Sequence, residues 1–172
     1  LAPADTWETY ISKHGSTNET WEHIMPKMPI MAVLRNLRNF IDNDCDLLPA
    51  LRKLSDEKTI LNSKQFPFRF YSAYKAIEDK SSHKVSRLLT ALDTAMDIAV
   101  QNVPKLDGTT AIFVDNSGSM DHSASENSVV TYKEIGGMLG AIASTMSQDN
   151  YFMVFGTNIS SVNFSGRDSI LT

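Results

Sequence analysis

Residues 110–120 read TAIFVDNSGSM, in which five apolar or β-branched residues are followed directly by a polar loop. The run Thr110–Val114 is too short for a helix and does not alternate with polar residues, so it predicts a strand buried on both faces of a sheet. The loop that begins at Asp115 then lies at the carboxyl end of the strand, where α/β sheets bind their ligands. The stretch therefore predicts an α/β sheet with a ligand site in this loop.

Three side chains of the loop have the donor chemistry of a divalent-cation site. Asp115, Ser117 and Ser119 occupy alternate positions, and Gly118 lets the backbone bend so that both hydroxyls point inward. Because the loop carries one formal negative charge, water and other ligands must complete the shell, which suits Mg²⁺ better than a Ca²⁺ cage. We expect Mg²⁺ or another divalent cation there. The alternative is an ordinary Asp/Ser/Gly turn that holds no metal.

The residues after this loop continue the pattern of an α/β sheet. A helix is predicted at about Tyr132–Ser147, followed by strand-like runs at Tyr151–Phe155 and Ile159–Phe164. Gly156–Asn158 separates the two runs and has the chemistry of a hairpin turn. Strand, helix, strand and an antiparallel edge strand open an α/β sheet, and we place its boundary with the preceding segment near residues 103–109.

Amphipathic helices are predicted before this boundary. Apolar residues recur at helical spacing in Trp21–Asn43, which has two prolines in its first turn, and in the shorter Leu47–Leu54. A third helix follows Pro67, and a fourth runs from about His83 to Gln101. Successive helices with short polar joints predict an all-α array, although the sequence has no clear repeat period.

Composition narrows the class of protein. The chain has 172 residues, of which 42% are apolar and 21% charged, as in globular proteins. It has no apolar run of roughly 18 residues and no basic segment followed by an apolar stretch at its start, so membrane insertion and secretion are unsupported. Its single cysteine, Cys45, has no partner and fits a reducing compartment. We expect a cytoplasmic protein in which Cys45 is a core or surface thiol rather than a reactive one.

The formal net charge of −4 argues at first against nucleic acid, because binding to phosphates needs a basic surface. The charge is unevenly divided, however. Residues 1–107 carry 14 Lys/Arg and 14 Asp/Glu, whereas residues 108–172 carry 2 and 6. The acidic excess therefore lies in the predicted sheet, and nearly all cations lie in the predicted helices.

Two stretches resemble known families. Phe113–Met120, FVDNSGSM, resembles the metal-ion-dependent adhesion site of von Willebrand factor A domains. Met28–Phe40, MPIMAVLRNLRNF, resembles the helix motif of the TROVE module of telomerase, Ro and vault proteins, and Pro67–Tyr74, PFRFYSAY, adds to it. The order of the two stretches is that of the Ro family. The resemblance implies the C-terminal part of a HEAT-like helical-repeat module at residues 1–105 and the N-terminal part of a Rossmann-like von Willebrand factor A domain at residues 106–172.

The resemblance also carries expectations about the sites. It assigns Asp115, Ser117 and Ser119 as metal ligands, and it places a threonine and a second aspartate of the site beyond Thr172. We therefore expect a fragment of a longer protein with an incomplete and weak metal site. The resemblance further implies a ring of helical repeats that binds small Y RNAs on its outer surface and single-stranded ends of misfolded RNAs through its hole.

Local charge gives modest independent support for RNA. Residues 64–87 contain six cations against two acids, with aromatic residues interleaved. The aromatic residues Phe70, Tyr71 and Tyr74 have helical spacing that is more typical of a core than of a base-stacking surface. Lysines on helix faces are often simply solvated, and two arginines of the long helix could face RNA or a buried acid. The candidate RNA contacts are Arg35, Arg38, Lys64, Arg69, Lys75, Lys84 and Arg87.

Two function classes remain open. The first is RNA binding in the quality control of small non-coding RNA, with a protein partner at the metal and neither DNA nor membrane as a partner. The second is a metal-dependent protein-binding module in which the helices are only a scaffold. An enzyme is not expected, because the sequence has no phosphate-binding Gly-rich loop, no nucleophile-elbow motif and no carboxylate cluster for two metals.

Overall fold

The computed structural model describes residues 6–80, 82–126 and 128–162. Its first part is helical, with a 3-10 turn at Met25–Lys27 between the second and third helices. The helices are α1 (Trp7–His14), α2 (Asn18–Ile24), α3 (Ile30–Asp42), α4 (Leu48–Leu54), α5 (Glu57–Ser63), α6 (Pro67–Lys75) and α7 (His83–Val100). We call residues 6–100 the helical part. Its assignment to HEAT-like repeats stays a prediction.

The single long helix predicted at Trp21–Asn43 is wrong. α2 ends at Ile24, the 3-10 turn contains Pro26, and Pro29 precedes α3 with an extended backbone at ψ 156°. Proline lacks the N–H that would continue the helix, and it drives the residue before it out of the helical region, as at Met28 with ψ 137°. Two prolines three residues apart therefore divide one apolar stripe between two helices.

The other predicted helices agree with α4, α6 and α7, whereas α1 and α5 were not foreseen from the sequence. Both begin at a capping side chain. Thr6 accepts a hydrogen bond from the backbone N–H of Thr9, and Asp56 accepts one from the N–H of Thr59 at 3.0 Å. Such caps satisfy N–H groups at the start of a helix and stabilise short helices like these by about 1 kcal/mol.

A continuous apolar core joins the helices. Phe40 of α3, Phe70 of α6 and Leu92 of α7 are fully buried in it, and the ring of Trp21 meets that of Phe40 edge-on at a centroid distance of 5.3 Å. Burying one such side chain stabilises the fold by about 1.5–3 kcal/mol. The core therefore holds α2, α3, α6 and α7 together as one packed unit.

The second part is a three-stranded sheet with one helix. Its elements are β1 (Leu106–Asp115), α8 (Tyr132–Met146), β2 (Ser147–Phe155) and β3 (Ile159–Ser161). β1 pairs with β2 in parallel and β2 with β3 antiparallel, in the order β1-β2-β3, which confirms the predicted strand, helix, strand and antiparallel edge strand. The last two residues of the predicted strand Ile159–Phe164 lie outside the described residues.

The expectation that Thr110–Val114 is buried on both faces is wrong for the described residues. Ile112 and Val114 are buried beneath α8, but Phe113 between them is 57% exposed. Side chains of a strand alternate between the faces of a sheet, and α8 covers only one face. The run is apolar throughout, yet in the described part of the chain it behaves as a half-buried strand.

The two parts meet through a small apolar cluster. Its buried members are Val100 at the end of α7 and Met138 and Ile142 of α8. Phe68, Tyr71, Val103 and Met146 pack around them. We call these seven residues the junction cluster. The helices end at Val100 and β1 begins at Leu106, so the predicted division between residues 1–105 and 106–172 falls in this connection and stays a prediction.

None of the helices in the described ranges combines the length and apolarity that crossing a membrane requires.

Candidate metal loop and cation-bearing helices

The loop after β1 gathers oxygen atoms at the carboxyl end of the sheet. Asp115 is the last residue of β1 and pairs with Phe155 of β2. Its carboxylate accepts a hydrogen bond from the backbone N–H of Ser117 at 2.8 Å. The hydroxyls of Ser117 and Ser119 lie 3.0 Å apart. The three side chains therefore share one tight turn, and their role as metal ligands stays a prediction.

The charge state of this turn suits a cation. Hydrogen bonds from the backbone N–H and the side chain of Ser117 hold the pKa of Asp115 below its usual range, so the carboxylate is ionised at neutral pH. Within the described ranges, no three His, Cys, Asp or Glu side chains come together as a metal cluster. The donor set is thus one carboxylate and two hydroxyls, which fits a hard ion that keeps several waters.

The rest of the loop is fastened to the start of α8. An antiparallel bridge pairs Ser123 with Thr131, and the N–H of Tyr132 donates to the carbonyl of His122 at 3.1 Å. Asp121 forms an ion pair with Lys133. The residues that follow Ser119 are therefore anchored to the start of α8.

Glu134 joins α8 to the helical part, and it was not singled out from the sequence. One carboxylate oxygen, Oε2, accepts from the N–H of Thr131 at 2.8 Å and from its hydroxyl at 3.0 Å, forming a capping box. The other, Oε1, accepts from the Tyr71 hydroxyl at 3.2 Å and lies 3.1 Å from Lys75 Nζ. Lys75 is also paired with Glu78. The Thr-x-x-Glu spacing before an apolar run was a readable signal for the capping box, but not for the contact with α6.

These contacts shift the ionisation of the groups involved. Burial and the nearby Glu134 carboxylate raise the pKa of Tyr71 to about 12. Burial also raises the pKa of Glu134, but hydrogen bonds from Thr131 and Lys75 outweigh it and hold the pKa below its usual range. The pKa of Lys75 is raised, chiefly by its hydrogen bond to Glu78. At neutral pH, Glu134 and Lys75 are therefore charged, whereas Tyr71 keeps its proton and donates a neutral hydrogen bond.

The seven candidate RNA contacts fall into two groups. Lys75 and Lys84 form ion pairs, Lys75 with Glu78 and Glu134 and Lys84 with Asp44. Five others are exposed and form no ion pair with a carboxylate of the described residues. These five are Arg35, Arg38, Lys64, Arg69 and Arg87. The two arginines of α3 thus point to solvent rather than to a buried acid.

The aromatic residues of the same segment are mostly core, as their spacing indicated. Phe70 is fully buried, and Tyr71 and Tyr74 pack against the core of the helical part. Phe66, which the sequence interpretation did not single out, is 43% exposed just before α6. The sequence signal for this exposure was the position of Phe66 directly before Pro67, where one helix ends and the next begins.

Comparison with known proteins finds a matching domain family and a protein of similar fold. Residues 1–85 match the TROVE domain family. Telomerase protein component 1 of Mus musculus is 37% identical over 83 residues, and that of Rattus norvegicus is 35% identical over 83 residues. Each alignment covers 45% of this chain and 3% of the rodent protein. The chain therefore spans a small part of these relatives.

The structure of this chain is similar to the crystal structure of the Ro (RSR) protein of Deinococcus radiodurans. The TM-score is 0.72 at 20% sequence identity, over 90% of this chain and 34% of that protein. At this identity the likeness is one of fold. Because it covers nine-tenths of the chain, it includes both the helices and the sheet.

Proposed function

Because residues 1–85 match the TROVE domain family, we propose that this chain is part of an RNA-binding ribonucleoprotein of the Ro type. Its helical part binds small structured, Y-like or misfolded RNAs in the quality control of non-coding RNA. Its sheet is the first half of a von Willebrand factor A-like domain that docks a protein partner through a divalent cation. The protein works in the cytoplasm and binds its ligands without catalysing a reaction.

The supporting observation is the distribution of cations. Five of the seven candidate cations are exposed and form no ion pair within the described ranges, although the chain as a whole is acidic. When such side chains bind RNA phosphates, they release the counterions condensed on those phosphates, which gives RNA binding its dependence on salt. A chain of net negative charge that binds RNA needs unpaired cations of this kind to contact the phosphates.

A salt titration of the full chain tests the proposal. The binding constant for a labelled stem-loop RNA is measured by fluorescence anisotropy. We expect its logarithm to fall linearly with the logarithm of the salt concentration. Each neutralised contact, as in Arg35→Gln or Arg87→Gln, should reduce the slope by about 0.7–0.9. Lys133→Gln is the matched control, since this cation lies on α8 and is paired with Asp121. Equal binding by the chain and by a neutral control protein would contradict an RNA role.

The alternative is a metal-dependent protein-binding module, and the geometry of the loop favours it as a second candidate. Asp115, Ser117 and Ser119 would hold Mg²⁺, with water completing the shell, because their oxygens lie on one turn and the carboxylate is ionised. The ion would offer its remaining coordination positions to an oxygen ligand of a partner. Because this loop offers one carboxylate and two hydroxyls, the expected affinity is weak.

Magnesium titration followed by calorimetry separates the two candidates. We expect Asp115→Asn and Ser119→Ala to abolish Mg²⁺ binding, and Asp121→Asn, which lies outside the three ligands, to retain it. Chelation should leave RNA affinity unchanged at constant ionic strength. If a chelator instead abolished all binding by the chain while salt had little effect, the protein-binding module would be the correct interpretation.

A further inference from the structure

At the turn between α5 and α6, residues 64–69, an exposed aromatic residue lies between two exposed cations in sequence. Phe66 is 43% exposed, whereas the other Phe and Tyr residues between positions 64 and 87 are buried or pack against an apolar cluster. Lys64, which ends α5, and Arg69, in the first turn of α6, are both exposed. We call residues 64–69 the interhelix turn.

The interhelix turn has a fixed backbone. Lys64 adopts a left-handed conformation with φ +51°, and the Gln65 backbone N–H donates to the Ser63 hydroxyl at 3.2 Å. The N–H of Arg69 donates to the carbonyl of Phe66 at 2.9 Å. Pro67 is buried, and Phe68 packs into the junction cluster. The backbone position of Phe66 is therefore fixed before any ligand arrives, which lowers the entropic cost of binding to the turn.

The chain on both sides of the turn carries cations and no acids. Residues 58–77 contain Lys58, Lys64, Arg69 and Lys75 and no Asp or Glu. Neither Lys64 nor Arg69 forms an ion pair with a carboxylate in the part of the chain that is described. This differs from Lys80 and Lys84 farther along, which pair with Asp42 and Asp44. Both cations of the turn are thus available to an anionic ligand.

We propose that the interhelix turn binds a single-stranded segment of RNA, with one base stacked on Phe66 and the adjoining phosphates bound by Lys64 and Arg69. The proposal rests on the RNA-binding role proposed above and names the residue that recognises an unpaired base. An aromatic ring stacks on any base whose face is free, while bases within a duplex are already stacked on each other. A lone ring flanked by cations is too small an apolar patch for a stable protein interface, which usually buries about 800 Å² on each partner.

Binding of two RNAs by the full chain tests this assignment. The probes are a labelled single strand of about eight nucleotides and a blunt-ended RNA duplex, both followed by fluorescence anisotropy. We expect Phe66→Ala to weaken binding of the single strand about tenfold and to leave duplex binding unchanged. Phe66→Trp should restore the single-strand affinity. Tyr151→Ala is the matched control, because Tyr151 is 64% exposed on the sheet and has no cation beside it in sequence.

The outcomes separate this assignment from the broader RNA role. If the chain binds the single strand and Phe66→Ala binds it equally well, the interhelix turn is not the site and the RNA role stands. Equal weakening of single strand and duplex would assign Phe66 a structural role and overturn the proposal. If the chain binds neither of these RNAs nor the stem-loop, both proposals fail. Photocrosslinking of the unaltered chain to the single strand, mapped by mass spectrometry to residues 64–69, gives a result that does not depend on a variant folding.

Discussion

The hydroxyl of Tyr71 on α6 donates a hydrogen bond of 3.2 Å to Glu134 Oε1 on α8, linking residues 63 positions apart in sequence. Because the other oxygen of Glu134 caps α8 through Thr131, one carboxylate holds the start of α8 and ties it to the helical part. Thr131 is also bridged to Ser123, in the segment that follows the metal loop. The contact therefore orients the sheet part, with its candidate metal loop, relative to the helices.

The coupling between these two side chains can be measured by a double-mutant cycle. Tyr71→Phe should lower the free energy of unfolding by about 1 kcal/mol, and Glu134→Gln by about 2–3 kcal/mol because it also weakens the pairing with Lys75. The double variant should lose less than the sum, by at least about 0.5 kcal/mol, in urea denaturation. Glu126→Gln, in the exposed loop, is the control and should change stability by less than about 0.5 kcal/mol. Strict additivity would show that the two side chains do not interact.

Glu134 should also make the stability depend on pH. Burial raises its pKa, but the hydrogen bonds from Thr131 and Lys75 hold it, on balance, below the value in the unfolded chain. The unfolded state then binds the proton more readily, so this stabilisation is present above the unfolded pKa of about 4.3 and is lost as pH falls through the lower, folded pKa. Between about pH 5 and pH 3 the unaltered chain should lose more stability than Glu134→Gln.

Urea denaturation at a series of pH values gives the comparison. Asp56 and Asp115, whose pKa values are also lowered, are present in both proteins, so the difference between the two curves isolates Glu134. Parallel curves over this range would mean that the folded environment of Glu134 does not favour its charged form.

Sequence patterns predicted the sheet well because each element there carries a local signal. The loop at Asp115 follows its strand directly, and α8 has an unbroken apolar period. The helices were less predictable, since the apolar stripe through Trp21–Asn43 continues across Pro26 and Pro29 while the backbone does not. The period of apolar residues indicates which residues are buried, but it does not indicate where a helix ends.

The contacts between the two parts could not be read from the sequence. Lys75 was assigned to RNA from its charge alone, and the structure pairs it with Glu134 on an element that lies far along the chain. Likewise, periodicity could favour a core position for Phe70 but could not show that Phe66 stays exposed. Both facts depend on how α6 packs, which is a property of the tertiary structure.

Cys45 should be unreactive in the folded chain. It is buried, and burial, followed by the carboxylates of Glu22 and Asp44, raises the pKa of its thiol to about 11. The thiolate is the reactive form, so at neutral pH alkylation should be at least about a hundredfold slower than in the denatured chain. Reaction with a chromogenic disulfide, with and without denaturant, measures the ratio. Equal rates would show that the thiol is accessible and only weakly perturbed.

Gly140 of α8 has no room for a side chain. Gly137, one turn earlier, should accept one. A Cβ at Gly140 would lie 2.6 Å from both Phe152 Cε2 and Val114 Cγ2, and both of these side chains are buried between helix and sheet. Gly140→Ala therefore forces α8 away from the sheet and should lower the free energy of unfolding by about 1–3 kcal/mol. A Cβ at Gly137 meets nothing within 4 Å. Gly137→Ala should accordingly raise stability by about 0.5–1 kcal/mol, because alanine restricts the unfolded chain and favours the helix. Urea denaturation of the two variants must give opposite signs, and a stabilised Gly140→Ala would mean that α8 does not pack on the sheet through this residue.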